Sequence, residues 1–396
     1  MENEYRPFFS RKQLNVLMWF SLLAILVLSS LGPGEVEYQT IEHNKEKSVY
    51  WMELDDQLNT LTLLLPSQPA LNRSQQQLQQ LKAQILLSRL KQLNNSAYTY
   101  NVYPRQDRIE LSLNWAADQE TPDINPLLSA LNQPVEANRW QDVLKTLQAR
   151  DYLNAKATEE HAVEAFFTRF QPPLNEVLPI LSSSYSALFN NVKFVVSGDN
   201  AEQISEQIIE SLPEETQSQL SSSITPIAAN INQQAESSDA FIFLTGETIP
   251  PRADPQFTAQ RVTAQVLQDL LESQQQALNY KYRLLWGSLQ STGYRAVIIT
   301  ANQSPEAILP QLQQLINEDL VETSQKRLAG QWQERMRDLQ NQVQAMNLIA
   351  YYDLPITTME DYVEQIQDID EEEIVALARK ALDTDLHINI MLSPKY

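Results

Sequence analysis

The residues best suited to chemistry lie at positions 157–161, which read Ala-Thr-Glu-Glu-His. In the zinc motif H-x-x-E-H, two imidazoles four residues apart share one helix face, and the glutamate between them activates the metal-bound water. Ala157 stands where that motif has its first histidine, so Glu160 and His161 remain as the candidate metal ligands. A catalytic zinc site normally has three protein ligands. The stretch by itself therefore predicts no metal centre.

The composition excludes several classes of function. The chain has 396 residues, no cysteine and seven glycines, and no glycine lies in a phosphate-binding loop, so we expect no cofactor. Its 50 acidic and 29 basic residues give a formal charge of −21, which disfavours nucleic acid as a partner. Of the other two histidines, we expect His43 to be solvated and His387 to point away from the apolar face of a strand.

An uncharged apolar stretch precedes the body of the chain. It begins at Leu14 and ends at Leu31, close to the roughly 20 residues that a helix needs to cross a bilayer. Basic residues precede it and acidic residues follow it, so the positive-inside rule predicts a cytoplasmic tail at 1–13, a transmembrane helix at 14–32 and a body outside. A cleaved signal peptide is the alternative, and the length of the stretch favours a retained anchor.

The body shows one order of elements twice: strand, helix, hairpin, helices and strand. The first set is predicted at 59–66, 74–93, 98–103 with 108–115, 124–131, 136–170 and 192–197. The second is predicted at 240–245, 255–278, 280–286 with 294–300, 305–316, 321–350, a helix from Met359, 371–382 and 387–392. Between them, 213–238 has the composition of a linker. We predict an α+β fold of two homologous units, 33–212 and 239–396, each a mainly antiparallel sheet with helices on one face.

Several phrases of the sequence carry a family resemblance. In the second unit they are Asp254-Pro255 leading into a long helix, Gly-Tyr-Arg-Ala-Val-Ile-Ile at 293–299, and the ending from Asp353 to Pro394; in the first, Val-Lys-Phe-Val-Val-Ser-Gly-Asp at 192–199. They are similar to the insulinase-like metallopeptidases, the family of pitrilysin and the mitochondrial processing peptidase. The resemblance covers nearly everything after residue 50, and it implies paired, homologous α+β units.

An active member of that family carries H-x-x-E-H on its first long helix and takes a further glutamate ligand from a later helix. Here that first helix is 74–93, which contains no histidine and no glutamate, and one register puts Gln76, Gln79 and Gln80 at the motif positions. Neutral amides are poor zinc ligands and cannot act as general bases. Residues 157–161 lie on the wrong helix for the motif, although Glu159 or Glu160 could descend from the distal glutamate.

Active members also hold the substrate with an arginine and a tyrosine from the second unit. Tyr280, Tyr282 and Arg283 lie in about the right hairpin, with a spacing that differs from that of the family. They are candidate contacts for a peptide or a partner. The alternative is that the aromatic side chains only pack across the strands.

The expected function is that of a catalytically inactive homologue of the insulinase family. We expect a single-pass protein of a bacterial inner membrane, with its N-terminus in the cytoplasm and its body in the periplasm. It would act as a partner or scaffold for an active subunit of the family or for another envelope protein. Two alternatives stay open: an active zinc peptidase with an unconventional site around His161 and Glu160, and an unrelated envelope adaptor.

Overall fold

Two β-sheets form the frame of the chain in the computed structural model, which describes residues 18–19, 36–93, 97–154, 158–212, 230–235, 240–302, 304–385 and 387–394. Both sheets belong to the compact unit that begins at Tyr38. The first sheet has six strands and the second has five. Most neighbouring strands run antiparallel, as predicted, and each sheet contains one parallel pair.

The first sheet is built from the first half of the chain. Its strands, in chain order, are β1 (Glu42–Asn44), β2 (Val49–Glu53), β3 (Leu58–Pro66), β4 (Thr99–Pro104), β5 (Arg108–Ala116) and β6 (Lys193–Gly198). Their order in the sheet is β1-β2-β6-β3-β5-β4. Alternation along β3 sends Leu61, Leu63 and Leu65 into the core beneath the first helix. The predicted hairpin is the antiparallel pair of β4 and β5.

Helices of the first half follow the apolar periodicity of the sequence. They are α1 (Arg73–Leu93), α2 (Ile124–Leu131), α3 (Gln141–Asn154), α4 (Thr158–Phe170), α5 (Leu178–Ser186) and α6 (Ala201–Ser211), with a short 3₁₀ turn at Ala137–Trp140. Leu78, Leu81 and Ile85 of α1 are buried against the first sheet. Asn72 begins this helix, because its Oδ1 accepts a hydrogen bond from the backbone N–H of Gln75 at 3.2 Å.

The second sheet comes from the second half of the chain. Its strands are β7 (Asn230–Ala235), β8 (Phe241–Ile249), β9 (Tyr280–Ser288), β10 (Gly293–Ala301) and β11 (Ile388–Pro394), in the order β7-β11-β8-β10-β9. Its helices are α7 (Phe257–Gln274), α8 (Ile308–Gln314), α9 (Glu318–Met336), α10 (Leu339–Tyr352), α11 (Thr358–Gln367) and α12 (Glu371–Lys380). The apolar side of α7 packs on Phe243, Val297 and Ile299 of the sheet.

Each half of the chain places one helix on the sheet of the other half. Helix α4 contacts β8 and β11 of the second sheet, and α10 contacts β2, β3 and β6 of the first. On β10, Val297 and Ile299 face α7 whereas Ala296 and Ile298 face α4, so α4 covers the opposite side of the sheet. The helices of each half lie on one face of their own sheet, as predicted, but the helix that the other half places on the second face was not predicted. Apolar residues on both faces of the central strands require two covering layers.

Three further differences concern local boundaries. The predicted helix 321–350 is two helices, because Asp338 caps the second one through bonds from the N–H groups of Gln340 and Asn341. In the predicted helical stretch 136–170, the described residues form the 3₁₀ turn, α3 and α4. Within the predicted linker at 213–238, residues Asn230–Ala235 form β7, which pairs in parallel with β11 at the sheet edge.

The predicted membrane helix lies outside the described residues, except for Met18 and Trp19. In the described part of the chain, no helix combines the length and the apolar character needed to cross a membrane. The span at 14–32 therefore stays a prediction.

Candidate functional site

One face of α1 meets α3 and α4, and it is the place where polar side chains of three helices come together. Arg73, Gln77 and Gln80 lie on this face, at spacings of four and three residues along the helix. Gln77 Nε2 donates a hydrogen bond of 2.8 Å to Asp151 Oδ2 on α3. Gln80 Oε1 accepts a hydrogen bond from the guanidinium of Arg150, which is also on α3.

Arg73 and Glu164 make the second contact of this face. The backbone N–H of Arg73 donates to both carboxylate oxygens of Glu164, at 3.3 and 3.1 Å, and Arg73 Nε lies 3.9 Å from Glu164 Oε2. Burial raises the pKa of Glu164, and the N–H and the charge of Arg73 oppose that shift. A carboxylate at the first turn of a helix is also favoured by the helix dipole. The contact ties α4 to the start of α1.

The predicted motif positions are divided between different sides of α1. Gln76 is exposed, and its Nε2 donates to the carbonyl of Leu71 at 3.0 Å. Gln79 is buried on the side towards β5, where its Nε2 donates to the carbonyl of Arg108 at 2.9 Å. Of the three predicted glutamines, Gln80 alone faces α3. Sequence reasoning missed Arg73 and Gln77, although their spacing of four residues is the one that two ligands on a helix require.

Glu160 and Arg283 are brought together by the packing of α4 against the second sheet. Arg283 on β9 donates to Glu160 Oε1 at 2.7 Å and to Glu159 Oε1 at 3.2 Å. Arg283 is 43% exposed, so water screens these pairs strongly. His161, the neighbour of Glu160, is exposed. Among the described residues, no three histidine, cysteine, aspartate or glutamate side chains are grouped so as to hold a metal ion.

Tyr280 and Tyr282 lie on the opposite face of the second sheet from Arg283, because side chains alternate along β9. Tyr280 is buried and its hydroxyl donates to the carbonyl of Leu271 at 2.9 Å. Tyr282 accepts a hydrogen bond of 2.9 Å from Gln268 Nε2 on α7. Both tyrosines thus fasten α7 to the sheet. Only Arg283 of the predicted trio reaches the first half of the chain.

The remaining histidines have structural surroundings. His43 is exposed on edge strand β1 and stacks on Tyr50, with ring centroids 5.5 Å apart. His387 is on the face opposite Ile388, as predicted, and it is buried there, where its Nδ1 lies 3.3 Å from Thr245 Oγ1 and its Nε2 lies 3.6 Å from Glu247 Oε2. Neither contributes to the face of α1.

Solved structures provide the decisive comparison, since no protein-family model and no curated protein sequence matches the chain. The inactive domain of peptidase M16 from Pseudomonas fluorescens superposes with a TM-score of 0.70 at 17% identity, over 90% of this chain and 98% of that one. The chain has the M16 peptidase fold. The resemblance to the insulinase-like peptidases is thereby confirmed at the level of the fold.

Longer M16-type proteins match in the same way. Pitrilysin superposes with a TM-score of 0.61 at 11% identity, over 91% of this chain and 43% of pitrilysin. The periplasmic protease PqqL from Escherichia coli gives a TM-score of 0.62 at 14% identity, over 92% of this chain and 46% of PqqL. The chain thus spans nearly the whole of the inactive domain and about half of each of these two proteins.

The donor groups on α1 do not fit the zinc ion that active M16 peptidases carry. Arg73 is a cation, and Gln77 and Gln80 offer only neutral amide groups where imidazoles are required. The carboxylates of Asp151 and Glu164 already accept hydrogen bonds from Gln77 and Arg73. The face of α1 therefore works as a hydrogen-bonded joint between three helices, and none of these groups is placed to activate a water molecule.

Proposed function

We propose that this chain is a catalytically inactive M16-type subunit that serves as a partner or scaffold for an active peptidase chain at a bacterial membrane. The observation that carries the proposal is the face of α1, where Arg73 and Gln77 occupy two positions four residues apart that two zinc ligands would need. The solved structure that spans nearly the same length is described as an inactive domain, which supports this reading.

The absence of suitable ligands makes a direct test simple. We expect the purified full chain to bind no stoichiometric zinc and to cleave no unstructured peptide. One tightly bound zinc per chain that disappears in His161→Ala would instead support a peptidase with an unconventional site. A peptidase activity that chelation removes would also refute the proposal.

The position of the lost site can be tested by rebuilding it. The triple variant Arg73→His, Gln76→Glu and Gln77→His restores H-x-x-E-H on the face that meets α3 and α4, with Asp151 and Glu164 nearby. We expect this variant to bind one zinc ion. The matched triple Gln76→His, Gln79→Glu and Gln80→His should bind none, because Gln79 is buried away from that face. If the second triple variant bound zinc and the first did not, the zinc-site positions would be 76, 79 and 80 instead.

The partner in this proposal is an active M16-type chain with an intact H-x-x-E-H motif from the same genome. Inactive halves and active halves enclose the substrate together in this family, which gives an inactive chain a reason to persist. We expect co-expression to give a stable complex whose peptidase activity exceeds that of the active chain alone. Arg283→Glu reverses the charge at the junction of the two halves. It should lower the peptidase activity of the complex, whereas the free energy of unfolding of the isolated chain should change little.

The membrane location rests on the sequence and on one similar protein. The apolar stretch from Leu14 to Leu31 and its flanking charges favour a single span with the body outside the cytoplasm. PqqL is described as a periplasmic protease. We expect the chain to fractionate with the inner membrane and its body to be digested by protease added to spheroplasts. A body that is protected until the cells are lysed would contradict the orientation.

A further inference from the structure

A cleft lies between α1 and α5, on a different side of α1 from the joint with α3 and α4. Its volume is about 360 Å³, within the range of roughly 300 to 1,000 Å³ that small-molecule pockets occupy. Most of its wall surface is apolar, and its polar lining residues are Lys82 and Ser67, near the end of β3, together with Gln68, Gln75, Gln79, Ser183 and Ser184. The apolar wall residues are Pro66, Leu78, Leu174, Ile180 and Ala187.

A hydrogen-bond chain with a fixed direction ends in this cleft. Gln79 Nε2 donates to the carbonyls of Arg105 and Arg108, at 3.2 and 2.9 Å, which turns Gln79 Oε1 towards Ser67. Ser67 Oγ donates to that oxygen at 2.7 Å, and Lys82 Nζ in turn donates to Ser67 Oγ at 3.1 Å. The Ser67 proton is therefore committed to Gln79. Lys82 cannot act as a base towards Ser67, so this pair is not a nucleophile.

Lys82 carries a buried charge that no carboxylate of the described residues neutralises. Lys82 is 3% exposed, and it forms no ion pair within 4 Å with a carboxylate of the described residues. By contrast, the other buried cations among the described residues, Arg108 and Arg295, are each paired with a carboxylate. Burial lowers the pKa of Lys82 to about 8. An ammonium group has three donors, and the hydrogen bond to Ser67 uses one.

We propose that this cleft binds a small apolar carboxylate, whose carboxylate group accepts hydrogen bonds from Lys82 Nζ and whose apolar part lies against Leu78, Leu174 and Ile180. A buried cation is costly unless it is paired, and a ligand carboxylate supplies the missing charge. One cation in an apolar cleft suits a monoanion with an apolar body. The site is separate from the proposed peptidase-like role and does not depend on it.

The proposal can be tested by calorimetry on the full chain at pH 7, with hexanoate and hexanamide as probes. These two molecules have the same shape and differ in charge. We expect hexanoate to bind at least tenfold more tightly than hexanamide. A second carboxylate, N-acetylleucine, distinguishes the source of the ligand, because it presents the end of a peptide whereas hexanoate presents an alkyl chain. Equal affinity for hexanoate and hexanamide, or no binding of either carboxylate, would overturn the proposal.

Variants on the same helix identify the group responsible. Lys82→Met keeps an unbranched side chain and removes the ammonium, so hexanoate binding should be lost. Lys91→Met removes an exposed lysine of α1, and binding should stay unchanged. If Lys82→Met does not fold, Ile180→Trp fills the cleft with the charge in place and should also abolish binding. Retained affinity in either cleft variant would show that the ligand lies elsewhere.

The pH dependence gives an independent readout. Because the pKa of Lys82 is about 8 in the empty cleft, hexanoate affinity should be nearly constant from about pH 6 to about pH 7, where the ligand stays ionised, and should fall about tenfold between pH 7 and pH 9. Near pH 8, binding should take up a fraction of a proton, measured as a heat that depends on the buffer. Lys91→Met should show the same profile. An affinity that does not change up to pH 10 would exclude Lys82 as the anion-binding group.

Discussion

Helices α4 and α10 occupy equivalent places in the two halves, yet different forces hold them on the opposite sheets. Helix α4 is fastened by aromatic packing. Phe166 is fully buried among Phe167, Phe170 and the second sheet, and Phe167 packs edge-on against Tyr294 at 4.9 Å. Gly246 allows this close approach, because a Cβ there would come within 2.6 Å of the Phe166 ring.

Helix α10 is fastened by a buried polar cluster. The hydroxyl of Tyr351 donates to the carbonyl of Asp107 at 2.7 Å, and that of Tyr352 donates to Asp107 Oδ2 at 2.9 Å. Arg108 pairs with Asp107 at 3.0 Å and with Glu110 at 2.7 Å. Lys193 caps the C-terminal end of this helix, because its Nζ donates to the carbonyls of Ala350 and Tyr351 in the last turn.

The two contacts should therefore fail in different ways. An apolar contact loses stability in proportion to the volume removed, and it is indifferent to pH. A buried polar cluster holds only while every member has its partner, because an orphaned charge costs more than the lost bond.

The largest effect is expected from Arg108→Met. It leaves the carboxylates of Asp107 and Glu110 buried without their common cation, and the free energy of unfolding should fall by about 4 kcal/mol. Urea unfolding at pH 7 measures this loss. Arg105→Met is the matched control, because Arg105 also pairs with Glu110 but is 49% exposed, and it should cost less than about 1 kcal/mol. Equal losses would show that burial does not decide the strength of the cluster.

Phe166→Ala tests the apolar contact. The cavity it leaves between α4 and β8 should lower the free energy of unfolding by about 3 kcal/mol, with the same loss at pH 5 and pH 8. The exposed Tyr152 on α3 is the control, and Tyr152→Ala should change stability by less than about 0.5 kcal/mol. A loss that varies strongly with pH would contradict a purely apolar contact.

Tyr352→Phe removes one hydroxyl from the polar cluster. The carboxylate of Asp107 then loses one of its donors, and burial already raises the pKa of Asp107, so the variant should lose about 1 to 2 kcal/mol of unfolding free energy. Denaturant titration resolves a change of this size. Tyr103→Phe, at a half-exposed position on β4, should be neutral. A neutral Tyr352→Phe would mean that water replaces the lost donor.

The smallest effect is expected from Arg283→Ala. Its ion pairs with Glu159 and Glu160 also join the two halves, but they are exposed, so their loss should cost less than about 1 kcal/mol. Any loss seen at low salt should disappear at 1 M salt, since screening removes such pairs. A loss as large as that of Arg108→Met would show that exposure to water does not weaken an ion pair between the two halves.

Local pattern was sufficient to predict most of the elements. The leucines of α1 repeat with helical period, the hairpins alternate apolar and polar residues, and Asp370 followed by acidic residues begins α12, all within a few residues of sequence. The break at Asp338 was missed because helical period continues on both sides of it. Strands β1, β2 and β7 are short, and pairing with a neighbouring strand rather than periodicity defines them.

The amino-acid sequence by itself determined that this chain lacks the zinc motif, since no histidine lies on α1 in any register. Only the tertiary structure decided that Arg73 and Gln77, rather than Gln76 and Gln79, face α3 and α4. The rotation of a helix about its axis is set by everything packed around it. The same holds for Lys82, an ordinary lysine in the sequence, which becomes a buried cation because α5 covers it from about 100 residues further along the chain.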